Sequence, residues 1–152
     1  MGRQGFNASI KIKMMIAMDV TDYIPQRKPF VMIDAIQAID DTSVMTVLSP
    51  KEDNVLVSDG YFTSGGMMEN IAQSAAFFAG YSYKQKGEAV PLGFITSIKN
   101  LKISKFPEVG ETLSTKVVNT NEVLDFQIFE GKIKDNQHNL IAQCEIRVFI
   151  QK

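Results

Sequence analysis

One stretch, residues 62–86, constrains the fold of this chain more than any other. Apolar side chains recur there at helical spacing, because at about 100° per residue they fall on one broad face. These side chains are Met67, Met68, Ile71, Ala72, Ala75, Phe78 and Ala79. No other stretch is both long and periodic enough for a comparable helix. We therefore predict one long central helix that begins at an N-cap formed by Thr63 or Ser64.

The polar side chains of this helix form a stripe that allows two interpretations. Four of them span roughly one third of the circumference: Glu69, Asn70, Gln73 and Ser74. Such a stripe is typical of the solvated face of a surface helix. Its later part, however, carries residues that suit a buried or interfacial surface: Phe77, Gly80 and Tyr81. A carboxylate in such surroundings has an altered proton affinity, so Glu69 is the candidate for chemistry.

Composition limits the chain to one domain with an ordinary core. Its 152 residues are 45% hydrophobic, which is sufficient for a single packed domain. The net charge is −1 and the basic residues are scattered, so we expect no nucleic-acid partner. The sequence contains no metal, nucleotide or flavin motif, so we expect no metal site and no dissociable cofactor.

Cys144 is the single cysteine, which excludes an internal disulfide and a zinc site built from several cysteines. It lies on the apolar face of the alternating stretch 140–150. We therefore predict a buried structural thiol rather than a nucleophile.

The N-terminal region contains a short apolar run at residues 14–18. The run is too short for a membrane span and has no cleavage-like end. We expect no membrane association and a cytoplasmic location. Several early methionines leave the natural start open, so we interpret residues 1–18 as an extension and residues 19–152 as one domain.

The rest of the chain is typical of β-structure. A short turn or a single helical turn is predicted at 21–25, and β-rich runs precede the central helix at 30–33 and 43–48. Four further strands are predicted after it, at 94–103, 112–119, 123–133 and 140–150. In the third of these the apolar phase shifts between Ile128 and Phe129, which indicates a bulge or bend. This order predicts an α+β fold, with an antiparallel sheet wrapped around a single helix.

Two segments also carry motifs with a specific resemblance. Residues 25–34 read PQRKPFVMID, and residues 69–73 read ENIAQ. They resemble the P-H-R-x-P-F-L-L-V-D segment and the E-x-x-A-Q motif of bacterial 3-hydroxyacyl-ACP dehydratases of the hotdog fold. Residues 108–111 stand where that family has a P-G-D turn, and the resemblance covers residues 23–149. It implies a hotdog fold, and a chain that works as a dimer at least.

One departure from the family concerns its catalytic histidine. In the family, a histidine after the first proline works with the helix glutamate of the neighbouring subunit to expel water from a 3-hydroxyacyl thioester. Here that position is Gln26, which forms hydrogen bonds but takes up no proton at accessible pH. The resemblance thus implies Glu69 and Gln26 as the catalytic pair, without the usual base. The only histidine, His138, lies in a polar stretch that predicts a solvated hairpin turn.

A second departure is the loop before the helix. The family has a G-H-F-P-x-x-P-x-x-P-G segment there, whereas residues 58–66 are shorter. The N–H of Gly65 or Gly66 can still polarise a thioester carbonyl. The shortened form resembles divergent dehydratase-like proteins encoded with aryl-polyene and related pigment pathways.

The acyl chain is expected along the apolar side of the helix. Three apolar residues are candidates for its lining, although such residues are more often plain core: Met67, Met68 and Phe94. Gln73, in the E-x-x-A-Q motif, is included among the substrate-binding candidates with the two glycines.

Three functions remain open at this point. The first is a dehydratase of fatty-acid or polyene-type biosynthesis that acts on acyl-ACP or acyl-CoA, with Glu69 as its single acid/base. The second is a hotdog thioesterase, in which one carboxylate activates water. The third is a catalytically incomplete subunit, which forms a heterodimer with a partner chain that contains the histidine. The first and second require only this chain, as a homo-oligomer.

Overall fold

The computed structural model describes residues 18–151. Nearly all of the predicted extension, residues 1–18, therefore lies outside the described residues. A short 3-10 helix, Val20–Asp22, is followed by eight strands and one α-helix, α1, Ser64–Gln85. Four strands precede α1: β1 Ala35–Ile39, β2 Ser43–Leu48, β3 Val57–Ser58 and β4 Tyr61–Phe62. Four follow it: β5 Leu92–Ile103, β6 Leu113–Val123, β7 Phe126–Lys134 and β8 Leu140–Gln151.

Six strands form one antiparallel sheet in the order β1-β2-β6-β7-β8-β5. The two-residue strands β3 and β4 form a separate hairpin whose turn residues, Asp59 and Gly60, both have positive φ. Helix α1 packs on the inner face of the large sheet, against β2, β6, β7 and β5. This is the predicted arrangement of an antiparallel sheet around one long helix.

The helix begins where the sequence predicts. Thr63 is the N-cap, and its Oγ1 accepts a hydrogen bond of 3.2 Å from the Gly66 N–H. Helix and sheet approach closely at Gly131 of β7, where an added Cβ would lie 2.3 Å from Ile71 of α1. Glycine at this position of β7 therefore sets the distance between the two layers.

The segment at residues 30–33 is not a strand, so that prediction was wrong. Its backbone at Met32 is bonded by side chains of α1 instead of by a neighbouring strand. The Met32 N–H donates to Gln73 Oε1 at 2.7 Å, and the Met32 carbonyl accepts from Asn70 Nδ2 at 2.8 Å. The first strand is β1, a few residues later, which the sequence interpretation missed.

The predicted irregularity in β7 is present as a bulge in its neighbour. The register of β6 against β7 shifts between Asn119 and Asn121, which pair with Phe129 and Ile128. Thr120 is thus the extra residue, opposite the point where the apolar phase of β7 changes.

Two single-residue predictions are also confirmed. Cys144 is a free, buried cysteine on β8. Burial raises the pKa of its thiol to about 11. His138 lies in the turn between β7 and β8 with a φ of 65° and is exposed.

Candidate active site

The polar stripe of α1 is mostly buried. Asn70, Gln73 and Ser74 have no exposed surface, and Glu69 is half-buried. The interpretation of the stripe as a solvated face is therefore wrong for three of its four members. The periodicity of the helix could not show this, because the covering segment is the non-strand backbone at residues 30–33.

Gln73 joins this covering segment to Glu69. Besides accepting from Met32, it donates through Nε2 to the Phe30 carbonyl at 2.8 Å and to Glu69 Oε2 at 2.6 Å. Both N–H groups of the Gln73 amide and its carbonyl oxygen therefore have hydrogen-bond partners within the protein. A hydrogen bond to a charged acceptor is stronger than one between neutral groups, so Gln73 fixes one oxygen of the Glu69 carboxylate.

A second set of buried bonds fixes the same turn of α1 to the sheet. Thr115 of β6 donates to Asn70 Oδ1, and Thr46 of β2 shares a bond of 2.8 Å with Ser74 Oγ. Because buried polar groups without partners are costly, these bonds define the rotation of the helix about its axis. The rotation in turn determines where Glu69 points.

The Glu69 carboxylate lines a cavity of about 260 Å³ between α1 and the sheet. One wall consists of four alanines of α1: Ala72, Ala75, Ala76 and Ala79. The opposite wall is formed by residues of β5, β7 and β8: Leu92, Gly93, Ile95, Phe129, Val148 and Ile150. We call this space the alanine-lined cavity.

Gln26 lines the same cavity as Glu69. Its Oε1 is buried and has no hydrogen-bond partner among the described residues. The structure therefore brings the two candidate catalytic residues of one chain to one cavity, whereas the resemblance implies a pair from two subunits. Their catalytic roles and the pairing across subunits stay predictions.

The other predicted substrate-binding residues lie outside the lining of this cavity. Met67 is buried in the hydrophobic core, Met68 is half-buried, and Phe94 is 49% exposed on β5. The Gly66 N–H is already bonded to the N-cap, while Gly65 lies in the first turn, where backbone N–H groups have no helical partner. Gln73 is also absent from the lining, and a role in substrate binding stays a prediction for all six residues.

The sequence interpretation missed two features of the cavity. The four alanines recur at positions i, i+3, i+4 and i+7, which is a detectable pattern, but the sequence interpretation includes only Ala72, Ala75 and Ala79 in the apolar face and omits Ala76. Gln127 of β7 also lines the cavity, and its alternation with Phe129 and Gly131 was the available indication.

Neither a metal site nor a membrane span is found in residues 18–151. The described residues contain no cluster of three or more His, Cys, Asp and Glu side chains able to hold a metal ion. No helix among them is long and apolar enough to cross a bilayer.

Comparisons with known proteins give a consistent result. Residues 18–152 match the family model "ApeP-like: ApeP dehydratase". The 3-hydroxyacyl-[acyl-carrier-protein] dehydratase FabZ of Rickettsia typhi is 28% identical over 145 residues, which are 88% of this chain and 90% of that protein. FabZ of Rickettsia massiliae is 29% identical over 111 residues, 66% of this chain and 72% of that protein.

Similar solved structures confirm the hotdog fold. The dehydratase heterocomplex ApeI:P from Xenorhabdus doucetiae matches with a TM-score of 0.80 and 20% identity, over 89% of this chain and 92% of that one. The smu.793 protein of Streptococcus mutans, bound to acetyl CoA, matches with a TM-score of 0.67 and 11% identity, over 85% and 96%. At these identities the likeness shows the fold alone. With the family match over residues 18–152, the chain belongs to the ApeP-like dehydratase family, as a divergent hotdog member in which Gln26 stands where the resemblance implies histidine.

Proposed function

We propose that this protein acts in the dehydration of a 3-hydroxyacyl thioester, with the acyl chain in the alanine-lined cavity and Glu69 as the acid/base. One observation carries this assignment. Among the described side chains that line the cavity, Glu69 is the only ionisable one, and the rest of the lining is apolar except for the amides of Gln26 and Gln127. A single carboxylate that faces an apolar slot suits proton transfer to a fatty substrate.

The reaction requires one proton to leave C2 of the substrate and the hydroxyl to leave C3 as water. The Glu69 carboxylate would accept the C2 proton and then return it to the departing hydroxyl, so that atoms and charges balance. In the described part of the chain, Glu69 accepts through Oε2 from Gln73, and Oε1 accepts no hydrogen bond. Oε1 is therefore the oxygen available for this transfer.

Gln26 would orient the substrate rather than move its proton. Its amide group can donate to the thioester carbonyl or to the 3-hydroxyl, but it cannot act as a base. Loss of the histidine leaves Glu69 as the only acid/base group, and loss of one such group typically lowers the rate by a factor of ~10²–10⁴. An enzyme composed of this chain alone would therefore be slow.

A second candidate is a subunit of a two-chain dehydratase. Gln26 at the histidine position favours it, and the similar ApeI:P structure is itself a dehydratase heterocomplex. A partner chain would contribute the histidine to a site that contains Glu69 of this chain. The other site of that heterodimer would pair Gln26 with the partner's glutamate and remain inactive. A homodimer is the alternative assembly.

The thioester would be attached to acyl carrier protein or to CoA, which places the proposed activity in the cytoplasm. The similarity to a hotdog protein bound to acetyl CoA makes CoA thioesters reasonable first substrates. No further cofactor is needed for the elimination.

The test is an assay of a 3-hydroxyacyl-CoA with the pure protein, and with the protein plus a histidine-containing dehydratase chain. Enoyl-CoA from the pure protein supports the first candidate, and enoyl-CoA only from the mixture supports the second. Release of free thiol would indicate hydrolysis and overturn both. Formation of neither product in either sample would also overturn them.

Two variants make the assignment of Glu69 specific. Glu69→Gln keeps the size of the side chain and removes its acid/base function, so we expect enoyl-CoA formation to fall by ~10²–10⁴. Glu52→Gln changes an exposed carboxylate that does not line the cavity and should leave the rate unchanged. Full activity of the Glu69 variant would remove this residue from the mechanism.

A further inference from the structure

Gln127 lies where two cavities adjoin. It lines the alanine-lined cavity, and it also lines a larger cavity of about 560 Å³ near the C-terminal half of α1. We call this second space the outer cavity. Gln127 is the only residue that contributes to the lining of both. It therefore lies at the boundary of the two cavities.

The strand periodicity of β7 directs Gln127 toward the helix. Residues 127, 129 and 131 alternate along one face of the strand. Phe129 on that face packs edge-on against Phe78 of α1 at 5.9 Å between ring centroids, and Gly131 is in close contact with Ile71. Gln127 thus continues the inward face as its one polar member.

Gln127 is at the end of the alanine-lined cavity that is distant from Glu69. The helix residues that line the outer cavity begin at Phe78, beside Ala79, the last alanine of the wall. Glu69 is ten residues before Ala79 in α1, which corresponds to about 15 Å along the helix axis at 1.5 Å per residue. An acyl chain whose reactive end is at Glu69 would approach Gln127 with its far end.

In the part of the chain that the structure describes, the amide of Gln127 has one hydrogen bond and one buried atom without a partner. Its Nε2 donates to Glu122 Oε1 at 3.3 Å, and Glu122 is exposed. Its Oε1 is buried and has no hydrogen-bond partner among the described residues. Because Nε2 is the atom bonded to Glu122, the buried atom without a partner is the acceptor Oε1. A long bond at the surface and a buried acceptor without a donor contribute little to protein stability, so replacement of this amide is expected to leave the fold intact.

We propose that Gln127 is the specificity-determining residue that sets the longest acyl chain that this protein accepts. With the side chain in place, the alanine-lined cavity ends at the amide. Without it, the cavity continues into the outer cavity, and a longer chain can extend into that space. This assignment rests on the proposed function, because it requires an acyl group in the alanine-lined cavity.

The test measures binding rather than turnover, so that it does not depend on a catalytic partner. Dissociation constants are determined by calorimetry for saturated acyl-CoA thioesters that lengthen in steps of two carbons, with CoA alone as the reference. For the wild type we expect affinity to rise with chain length and then to stop rising. In Gln127→Ala the rise should continue, by roughly tenfold for each two further methylenes that become buried.

Two further variants separate size from chemistry. Gln127→Leu retains the volume without the amide and should keep the wild-type limit. Gln137→Ala, in the exposed turn between β7 and β8, should leave the whole series unchanged. Circular dichroism and thermal unfolding confirm that each variant is folded.

The outcomes distinguish failure at each level. If the wild type binds the acyl series but Gln127→Ala shows the same limit, Gln127 is not the stop, while the proposed function stands. If the wild type binds no thioester more tightly than CoA alone, the acyl cavity and the role of Gln127 are both overturned.

Discussion

Gln73 donates a hydrogen bond of 2.6 Å to the carboxylate of Glu69, one helical turn before it, while the same amide bonds the backbone of Phe30 and Met32. One side chain thus fixes both the proposed acid/base and the segment that follows Gln26 in the chain. The orientation of the Glu69 carboxylate and the position of the segment at residues 30–32 therefore depend on the same side chain.

Replacement of Gln73 should reduce both stability and activity. In Gln73→Leu the buried N–H of Met32 loses its acceptor, which costs about 1–3 kcal/mol of unfolding free energy. The Glu69 carboxylate also loses its donor, so enoyl product formation should fall in the competent assembly. Urea denaturation measures the first effect, with Gln85→Leu at the exposed end of the helix as the control. Equal stability of the two variants would contradict the prediction.

Introduction of a base at position 26 should increase dehydration by the isolated chain. Gln26→His places an imidazole on the cavity that contains Glu69, and a general base typically contributes a factor of ~10²–10⁴. Because the neutral imidazole is the base, the gain should disappear below its pKa of about 6.5. The rate is measured as enoyl-CoA formation across this pH range. The double variant Gln26→His with Glu69→Gln should show no gain in rate. A gain that persists in the double variant would show that the introduced imidazole acts without Glu69.

A larger side chain in the alanine wall should block the cavity. Ala76→Phe fills the space between α1 and the opposite wall, so acyl-CoA affinity should weaken by roughly tenfold or more as buried methylenes are displaced. Ala89→Phe, in the exposed connection after the helix, tests for general effects of an added ring. Affinity for CoA alone should be the same in both variants. Unchanged acyl affinity in Ala76→Phe would place the acyl chain elsewhere.

The close approach of helix and sheet predicts sensitivity at Gly131. A methyl group added in Gly131→Ala would lie 2.3 Å from Ile71 Cγ2, so the layers must move apart, at a cost of about 1–3 kcal/mol. Gly65→Ala is the matched substitution, because its new methyl would meet only Thr63 Oγ1 at 3.9 Å. Its effect on stability should be within about 1 kcal/mol. Thermal unfolding compares the two, and a tolerated Gly131 variant would show that the layers can adjust.

The buried thiol of Cys144 predicts a loss of stability at alkaline pH. Burial raises its pKa from an ordinary value of 9.0 to about 11 in the folded protein. Between these values the unfolded chain releases the proton and the folded chain retains it, so the free energy of unfolding falls as the pH rises through this interval. Urea denaturation of the wild type and of Cys144→Ala measures the difference, and the variant should show a shallower decline. The thiol should also react with alkylating reagents only after denaturation.

The parts of the fold that periodicity determines could be predicted from the sequence. The helix at Ser64–Gln85 agrees with the prediction, and so do the alternating strands, because apolar spacing identifies such elements directly. The segment at 30–33 was assigned wrongly for a physical reason. An apolar run is compatible with any buried backbone, and here the partners of that backbone are the side chains of Asn70 and Gln73.

The candidate site could be predicted only in part. A motif identified Glu69 and Gln26, and both line one cavity. The alanine wall and Gln127 were missed because their importance comes from empty space, which depends on how α1 and β7 are placed. No local pattern encodes the volume between two elements.

Strand β5 has one further consequence. Within the described residues it is the outermost strand of the sheet, hydrogen-bonded to β8 alone, and its other edge has free backbone groups beside exposed side chains such as Leu92 and Phe94. The same strand forms one wall of the alanine-lined cavity through Gly93 and Ile95. Ligand binding in the cavity and pairing of another chain with the free edge of β5 would therefore both act on the backbone of this strand. Each event would change the equilibrium constant of the other.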